Sequence, residues 1–340
     1  RPSGPLVPER GVLFGAFVYH RSSARTPLDQ VRSFETLIGR RLDIDQRFHP
    51  LTGSFPTRTE RASAAEGRTL LLTWEPDRAG DLRAIVAGTY DRVIDARARA
   101  LASLDTPVFV RFAHEMNGNW YPWSGVLQST PGTHDGPSVY RAAFRHVVDR
   151  FRAVGARNVI WVWSPNWKSI PQDDWNRPDA YYPGDDYVDW VGLGGYNRGP
   201  SSVTHAWREL REIIAPINAL YGDRKPIMIA ETGSVEEGGS KAAWITRAAT
   251  ALAQPGSRIR LFQAALALDP ERVEALDALA DAHFKAGDLA PAKALLERRF
   301  ALGDGGEERA RQQWMLGAAL EAENQLERAA DAHREALALD

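Results

Sequence analysis

Short runs of β-branched and aromatic residues alternate, over about 250 positions, with longer stretches whose apolar residues recur three or four apart. That is the pattern of a parallel sheet with crossover helices. The runs predict strands over Val12–Tyr19, Leu42–Asp45, Thr69–Trp74, Val108–Ala113, Val159–Trp163, Val188–Leu193 and Ile227–Ala230. The amphipathic stretches predict helices over Leu28–Gly39, Leu82–Leu104, Val139–Val154, Val203–Leu220 and Lys241–Leu252, several closing at Gly39, Gly155 or Gly222. Seven such units, with no Gly-rich phosphate turn after the first strand, favour an α/β fold of the (β/α)8 TIM-barrel type over an open doubly wound sheet.

From residue 264 the pattern is helical only. Leu316, Gly317, Leu320, Ala329 and Ala336 fall at the spacings of the 34-residue tetratricopeptide repeat. A second copy fits around Leu279, Ala280, the Gly287-Asp288 turn and Ala292, and the phrase Ala-Leu-Ala-Leu-Asp recurs at 265–269 and 336–340. The expected division is a barrel over 1–262 and a C-terminal all-α repeat segment over 263–340. Stacked repeats of this kind offer a concave surface to a protein partner. An eighth strand and the first repeat helix both lay claim to Arg258–Phe262, so two arrangements stay open: a very short strand eight, or an incomplete barrel with a repeat helix in the gap.

Composition follows the same division. Ten of the 11 Trp and all nine Tyr precede residue 245, whereas 264–340 holds three aromatics and 21 Ala. With 42 Lys and Arg against 44 Asp and Glu, the net charge is −2 and no basic stripe stands out, which argues against nucleic-acid partners. No apolar run reaches the roughly 20 residues of a membrane span. With 44% hydrophobic residues the chain is not of disordered type. Zero Cys removes disulfides, thiolate metal sites and Cys nucleophiles together. The chain begins at Arg1 with neither Met nor an apolar signal core, which reads as a mature or trimmed form.

The candidate chemistry sits at two strand ends. Strand four runs into Arg111-Phe112-Ala113-His114-Glu115-Met116-Asn117-Gly118-Asn119-Trp120-Tyr121-Pro122-Trp123, and strand seven into Ala230-Glu231-Thr232-Gly233. Catalytic groups of a barrel gather at the carboxyl ends of its strands. Two Glu facing each other there are the apparatus of glycoside hydrolysis, one protonated to help the leaving oxygen depart and one ionised to attack or activate water. The spacing of the two carboxyls would decide between retention and inversion.

These segments, with Trp163-Ser164-Pro165-Asn166 and Tyr182-Pro183-Gly184-Asp185-Asp186-Tyr187-Val188-Asp189-Trp190, resemble family 26 glycoside hydrolases over about residues 10–260. The resemblance implies a retaining endo-β-glycanase on a (β/α)8 barrel, acting on a β-mannan or mixed-linkage β-glucan without metal or organic cofactor. It implies Glu115 as acid/base and Glu231 as nucleophile, His114 beside the acid, Trp120 as an aromatic platform, and Tyr196 as hydrogen-bond donor to the nucleophile. The family's aromatic at the end of strand eight falls on Phe262. The wording Asn119-Trp120-Tyr121-Pro122-Trp123 leans toward the glucanase-like branch.

The residues themselves agree with those roles. Apolar neighbours such as Trp120, Tyr121 and Trp123 would raise the pKa of an acid, whereas a Tyr196 hydroxyl would favour an ionised Glu231. Sugar hydroxyls need polar groups such as Asn117, Asn166 or His114, and Trp74, Trp123 and Trp167 are further expected lining of the sugar site. The remaining His residues show no metal-ligand spacing. A polysaccharide substrate suggests a periplasmic or extracellular location. The competing reading is a polysaccharide-binding scaffold that does not cut, docked by its repeats to an exopolysaccharide synthesis or export assembly.

Overall fold

A computed structural model of the chain describes residues 5–8, 11–18, 26–200, 206–253, 259–264, 309–322 and 325–339, with single positions at 289, 293, 296, 297 and 300. Eight parallel strands follow one another in chain order around a closed barrel: β1 (Leu13–Ala16), β2 (Ile44–Pro50), β3 (Thr69–Glu75), β4 (Val108–Phe112), β5 (Val159–Trp163), β6 (Trp190–Asn197), β7 (Ile227–Ser234) and β8 (Ile259–Ala264). The helices between them are α1 (Pro27–Ile38), α2 (Arg58–Ala65), α3 (Asp81–Val86), α4 (Asp91–Ala102), α5 (Gly125–Gln128), α6 (Gly136–Val154), α7 (Leu210–Tyr221) and α8 (Lys241–Ala253).

Strand eight is formed. It pairs with β1 through Leu13↔Leu261 and Phe14↔Phe262, and with β7 through Met228↔Leu261 and Ile229↔Phe262, so the arrangement with a gap in the barrel falls away. The side chain of Phe262 lies outside the described residues. The single helix expected over Leu82–Leu104 is two, α3 and α4, because the chain turns at Gly88 with φ 79°. Helix α7 starts at Leu210 rather than Val203, and the short α2 and α5 had no expectation.

Strand alternation sorts the apolar residues into two layers. Ile44, Leu71, Phe109, Ile160, Val162, Trp190 and Met228 point into the barrel and fill its lower part, with Leu6 and Val7 of the N-terminal segment against them. Residues of opposite parity, such as Leu70, Leu72, Trp74, Val110, Phe112, Trp161 and Trp163, pack outward under the helices. Burying an aliphatic or Phe side chain contributes roughly 1.5–3 kcal/mol, so this outer layer supplies much of the hydrophobic stabilisation.

Two further helices, α9 (Arg309–Ala322) and α10 (Leu326–Leu339), form a pair. Leu316, Leu320, Ala329 and Ala332 are buried together with Val31, Leu37 and Ile38 of α1 in one cluster, so the tail shares a core with the barrel's flank. Gly317 faces His333 so closely that a Cβ would lie 2.5 Å from the ring. The upstream copy of the repeat, over 265–288, lies outside the described residues. Among the described residues no helix is long and apolar enough to cross a membrane.

Candidate active site

The strand order puts the ends of β4, β5, β6 and β7 side by side, and two backbone irregularities aim the glutamates. On β7, Met228 and Ala230 point into the barrel, so plain alternation would turn Glu231 outward. The β6–β7 register slips by one between Leu193 and Gly194, from Leu193↔Ile229 to Gly194↔Glu231. That bulge re-aims Glu231 toward the barrel mouth. Beyond β4, Ala113 (φ 47°) and Glu115 (φ 53°) both hold left-handed backbone conformations, which are uncommon for residues with a Cβ. The Glu115 amide is fixed by the Ser164 carbonyl at 2.7 Å.

Glycine at 194 is what lets the acidic groups approach. A Cβ there would lie 2.1 Å from Glu115 Oε1, so any other residue would push that carboxyl away. Gly194 is also the register partner of Glu231 on the next strand. Adjacent strands are about 4.8 Å apart, so the Glu115 carboxyl lies roughly one strand spacing from the Glu231 backbone.

The two carboxyls have opposite surroundings. Burial pushes Glu115 up to about 7, and the nearby Glu231 charge adds to the rise. Trp120 Nε1 donates to its Oε2 at 3.1 Å. Burial, the largest single influence, would push Glu231 up as well, but the Arg111 guanidinium, the His114 ring and the hydrogen bonds from Arg111 and Tyr196 together hold it below the usual range. Arg111 Nη2 donates to Glu231 Oε1, and Tyr196 Oη donates to Oε2 at 2.8 Å. Arg111 is itself fully buried, anchored by Nε to Thr73 Oγ1 at 3.0 Å and lying over the Phe48 ring. His114 Nε2 lies 3.8 Å from Glu231 Oε1 and 3.2 Å from Tyr121 Oη. Burial, and then Arg111, hold His114 down at about 3, so the ring is neutral near pH 7.

Glu115 and Glu231 line one open cleft of about 390 Å3. Trp120, Tyr121, Asn166, Trp167 and Tyr196 share its walls, together with Lys168, Ile170 and Arg198. Trp120 is 42% exposed, which leaves an indole face available to a ligand.

Four expected sugar-contacting residues lie elsewhere, the first being His114, which is fully buried and does not line the cleft. Trp74 has the parity of Leu70 and Leu72, so it packs under the helices with its Nε1 on the Leu51 carbonyl and offers no face to the cleft. Asn117 is buried and spends its amide holding loops together: Nδ2 donates to Asn166 O and Ser169 Oγ, and Oδ1 accepts from the Asn166 amide. Trp123 is buried too, stacked on Tyr121 at 4.3 Å and donating to the His114 carbonyl. Both act on the cleft only through the residues they brace.

Sequence reasoning gave Arg111 no role. Its signal was present, since an Arg inside the apolar strand Val108-Phe109-Val110-Arg111-Phe112 must find a buried anion. Glu75, next after Trp74, is a third acid near the mouth, pushed up to about 7 chiefly by burial against the pull of Arg111. Among the described residues no three His, Asp or Glu side chains gather as metal ligands would.

A (β/α)8 barrel with two acids of opposite character at the ends of β4 and β7 defines a class in which the strand ends carry the chemistry. Residues 75–250 match the model of glycosyl hydrolase family 26, just over half the chain, and the protein belongs to that family. It is 36% identical to endoglucanase H of Acetivibrio thermocellus over 242 residues, 70% of this chain and 26% of the relative. A β-1,3-xylanase of a Vibrio species is 36% identical over 115 residues, covering 34% of this chain and 22% of the relative. The chain thus spans about a quarter of the length of these curated relatives. Among solved structures, the catalytic domain of an endo-β-1,4-mannanase from Bacillus sp. JAMB-750 superposes with a TM-score of 0.58 at 20% identity, covering 81% of this chain and 86% of that one. At that identity the likeness speaks for the fold.

Proposed function

We propose that the protein is a retaining endo-β-glycanase that cleaves internal bonds of a mixed-linkage β-glucan or a β-mannan. The observation that carries this reading is the pair of glutamates lining one cleft in unlike surroundings, Glu231 gripped by Arg111 and Tyr196 and Glu115 held by the Trp120 indole. Glu115, protonated up to about pH 7, donates its proton to the departing glycosidic oxygen. Glu231, kept ionised by Arg111 and Tyr196, attacks the anomeric carbon and forms a glycosyl-enzyme ester. Glu115, now a carboxylate, takes a proton from water, which attacks the same carbon and releases Glu231. Their approach across Gly194 supports the short carboxyl spacing that retention requires.

Trp120 and Trp167 present flat faces to the C–H faces of sugar rings, and Asn166 presents an amide to hydroxyls. Glucan is the preferred substrate within this proposal because the long match is to an endoglucanase, whereas the mannanase matches span at most half of the chain. A polymeric substrate fits a periplasmic or extracellular site of action. The tetratricopeptide assignment of the tail belongs to the same proposal, supported by the burial of Leu316, Leu320 and Ala329 between paired helices.

The test is product analysis on barley β-glucan, lichenan and galactomannan. Endo-cleavage of one of them with the β-anomer as first product is expected, and a 2-fluoro glycoside inactivator of the same sugar should leave its label on Glu231. Initial release of the α-anomer would overturn the retaining mechanism, and inertness toward all three polymers would overturn the substrate assignment.

A further inference from the structure

Strands β2 and β3 bring to the barrel mouth two side chains that the mechanism above does not use. Ile44 and Leu71 point into the barrel, so the inward positions continue on β2 through Gln46 to Phe48, and on β3 through Thr73 to Glu75. The two strands pair in continuous register, Phe48 with Thr73 and Pro50 with Glu75. Phe48 and Glu75 are therefore the last inward side chains of neighbouring strands, at the carboxyl end of the barrel where Glu115 and Glu231 also stand.

The fold itself accounts for neither. Phe48 is half-buried and joins none of the three hydrophobic clusters of the described residues. Its ring meets Phe17 edge-on at 4.9 Å, lies under the Arg111 guanidinium at 5.7 Å and stands 6.1 Å from the His114 ring. Glu75 is half-buried as well, and among the described residues no group donates a hydrogen bond to its carboxyl. Arg111 and His49 attract it, while Glu231 and Asp77 repel it. The bonds of Arg111 go to Glu231 and Thr73 instead, and those of His49 to Glu60. The Glu75 charge is felt in turn by Tyr121, a residue of the cleft wall. A carboxyl partly withdrawn from water and left without donors is unfavourable on its own, and hydroxyl donors from a ligand would correct that.

This wall lies behind the nucleophile. Arg111 and His114 stand between Phe48 and Glu231: the guanidinium bonds Glu231 and covers Phe48, and His114 Nε2 is 3.8 Å from Glu231 Oε1. Glu115 and its donor Trp120 belong instead to the cleft shared with Asn166 and Trp167. In double displacement the nucleophile takes the glycone ring and the acid serves the leaving group. Groups one side-chain layer beyond the nucleophile thus meet the next ring of the glycone.

We propose that Phe48 and Glu75 form a sugar subsite for the second glycone ring, the one beyond the ring that Glu231 attacks. An apolar C–H face of that ring rests against Phe48, and its hydroxyls donate to the Glu75 carboxyl. The inference rests on the reading of the cleft as a retaining glycanase site and adds the residues that hold the chain behind the cleaved bond.

Aryl β-glycosides carry sugar on the glycone side only, which makes them the probe. The full chain is assayed on aryl glycosides of one and of two sugar rings, glucose or mannose according to the polymer cleaved, with release of the phenol as readout. Glu75→Ala is expected to lower kcat/KM on the two-ring substrate by about tenfold or more, the worth of hydrogen bonds to a charged group, and by much less on the one-ring substrate, which does not reach the subsite. Glu75→Gln keeps a carbonyl acceptor and should recover part of the loss. Phe48→Leu, apolar but without a flat face, should show the same selective loss in smaller measure. A merely structural Glu75 would lower the urea midpoint and both rates together, whereas the Glu75→Ala midpoint at pH 8 is expected to equal or exceed the native one, because an unbonded carboxylate is removed. Native rates of both Glu75→Ala and Phe48→Leu on the two-ring substrate, or equal losses on the two substrates, overturn the inference. A native chain inert toward aryl glycosides and polymers sinks the proposed activity alone if Glu75→Ala still weakens its binding of a glucan or mannan tetrasaccharide, and takes the inference with it if that binding is unchanged.

Discussion

The ends of β4 and β7 hold the same side chain and treat it in opposite ways. Glu115 stands on a left-handed loop position among Trp120, Tyr121 and the bare edge of Gly194, with a single indole donor. Glu231 is set by a bulge in the sheet itself and gripped on both oxygens, by Arg111 and Tyr196. Glu115 is buried and Glu231 largely so, its side chain 17% exposed, and burial alone would raise both pKa values. The difference comes chiefly from the Arg111 guanidinium, which bonds Glu231 directly, with His114 and Tyr196 adding to the pull. Arg111 reaches Glu231 because it stands in the inward parity of β4, beside Thr73 on β3. A barrel can thus turn two chemically identical groups into an acid and a nucleophile by deciding which of them shares a layer with an arginine.

Removing the gripped carboxylate breaks the comparison most severely. Glu231→Gln is expected to lower kcat on the cleaved polymer by about ten-thousandfold or more, measured as reducing ends released, because no nucleophile remains. Activity within tenfold of the native chain would remove Glu231 from the mechanism. Glu115→Gln should cost about 100- to 10000-fold on the polymer and much less on an aryl glycoside whose leaving group departs without a proton. Equal losses on both substrates would deny Glu115 the role of acid.

The native pH profile then reads the contrast directly. In kcat/KM, the alkaline limb is expected near pH 7, where Glu115 loses its proton. The acid limb should fall below the ordinary glutamate range, because Glu231 is held low. Tyr196→Phe, which removes one of the two grips, should reduce kcat/KM by about tenfold, the worth of one hydrogen bond to a charge, and move the acid limb upward while leaving the alkaline limb near 7. A profile that shifts only on its alkaline side would mean that Tyr196 serves Glu115 instead.

Much of this was legible in the sequence. The alternation of strand and helix and the strand-end positions of the two glutamates stood in the local pattern, whereas Tyr196 and Trp120 came from the family resemblance, and these residues line one cleft with Trp167. What pattern could not supply was direction. Trp74 follows a strand as a lining residue should, yet parity turns it under the helices, and reading Leu70, Leu72 and Trp74 as one face would have shown it. Glu231 is the converse, since strict alternation would have sent it outward and only the slip at Gly194 brings it in. Asn117 and Trp123 belong to a motif rich in sugar-binding residue types, but their donors are spent on carbonyl and hydroxyl groups that no sequence spacing reveals. Strand eight was obscured because its residues adjoin a helical pattern, and its partners lie on β1 and β7, far away in sequence.

The smallest expected effect concerns stability, and it sharpens the contrast without any substrate. A carboxyl whose folded pKa is raised binds more protons in the folded than in the unfolded chain, so its contribution is complete below the unfolded value and is lost as pH rises through the folded one. For Glu115 that window runs from 4.5 to about 7. Glu115→Gln removes the loss, so the variant should match the native chain near pH 4 and exceed it at pH 8 by on the order of 2 kcal/mol, read from urea midpoints. Glu231 has the opposite sign: its folded pKa is lowered, its contribution is present above the unfolded value, and Glu231→Gln should destabilise the chain at pH 8 by stranding Arg111. If both substitutions shifted the midpoint in the same direction at pH 8, the two strand ends would not differ in the way their hydrogen bonds indicate.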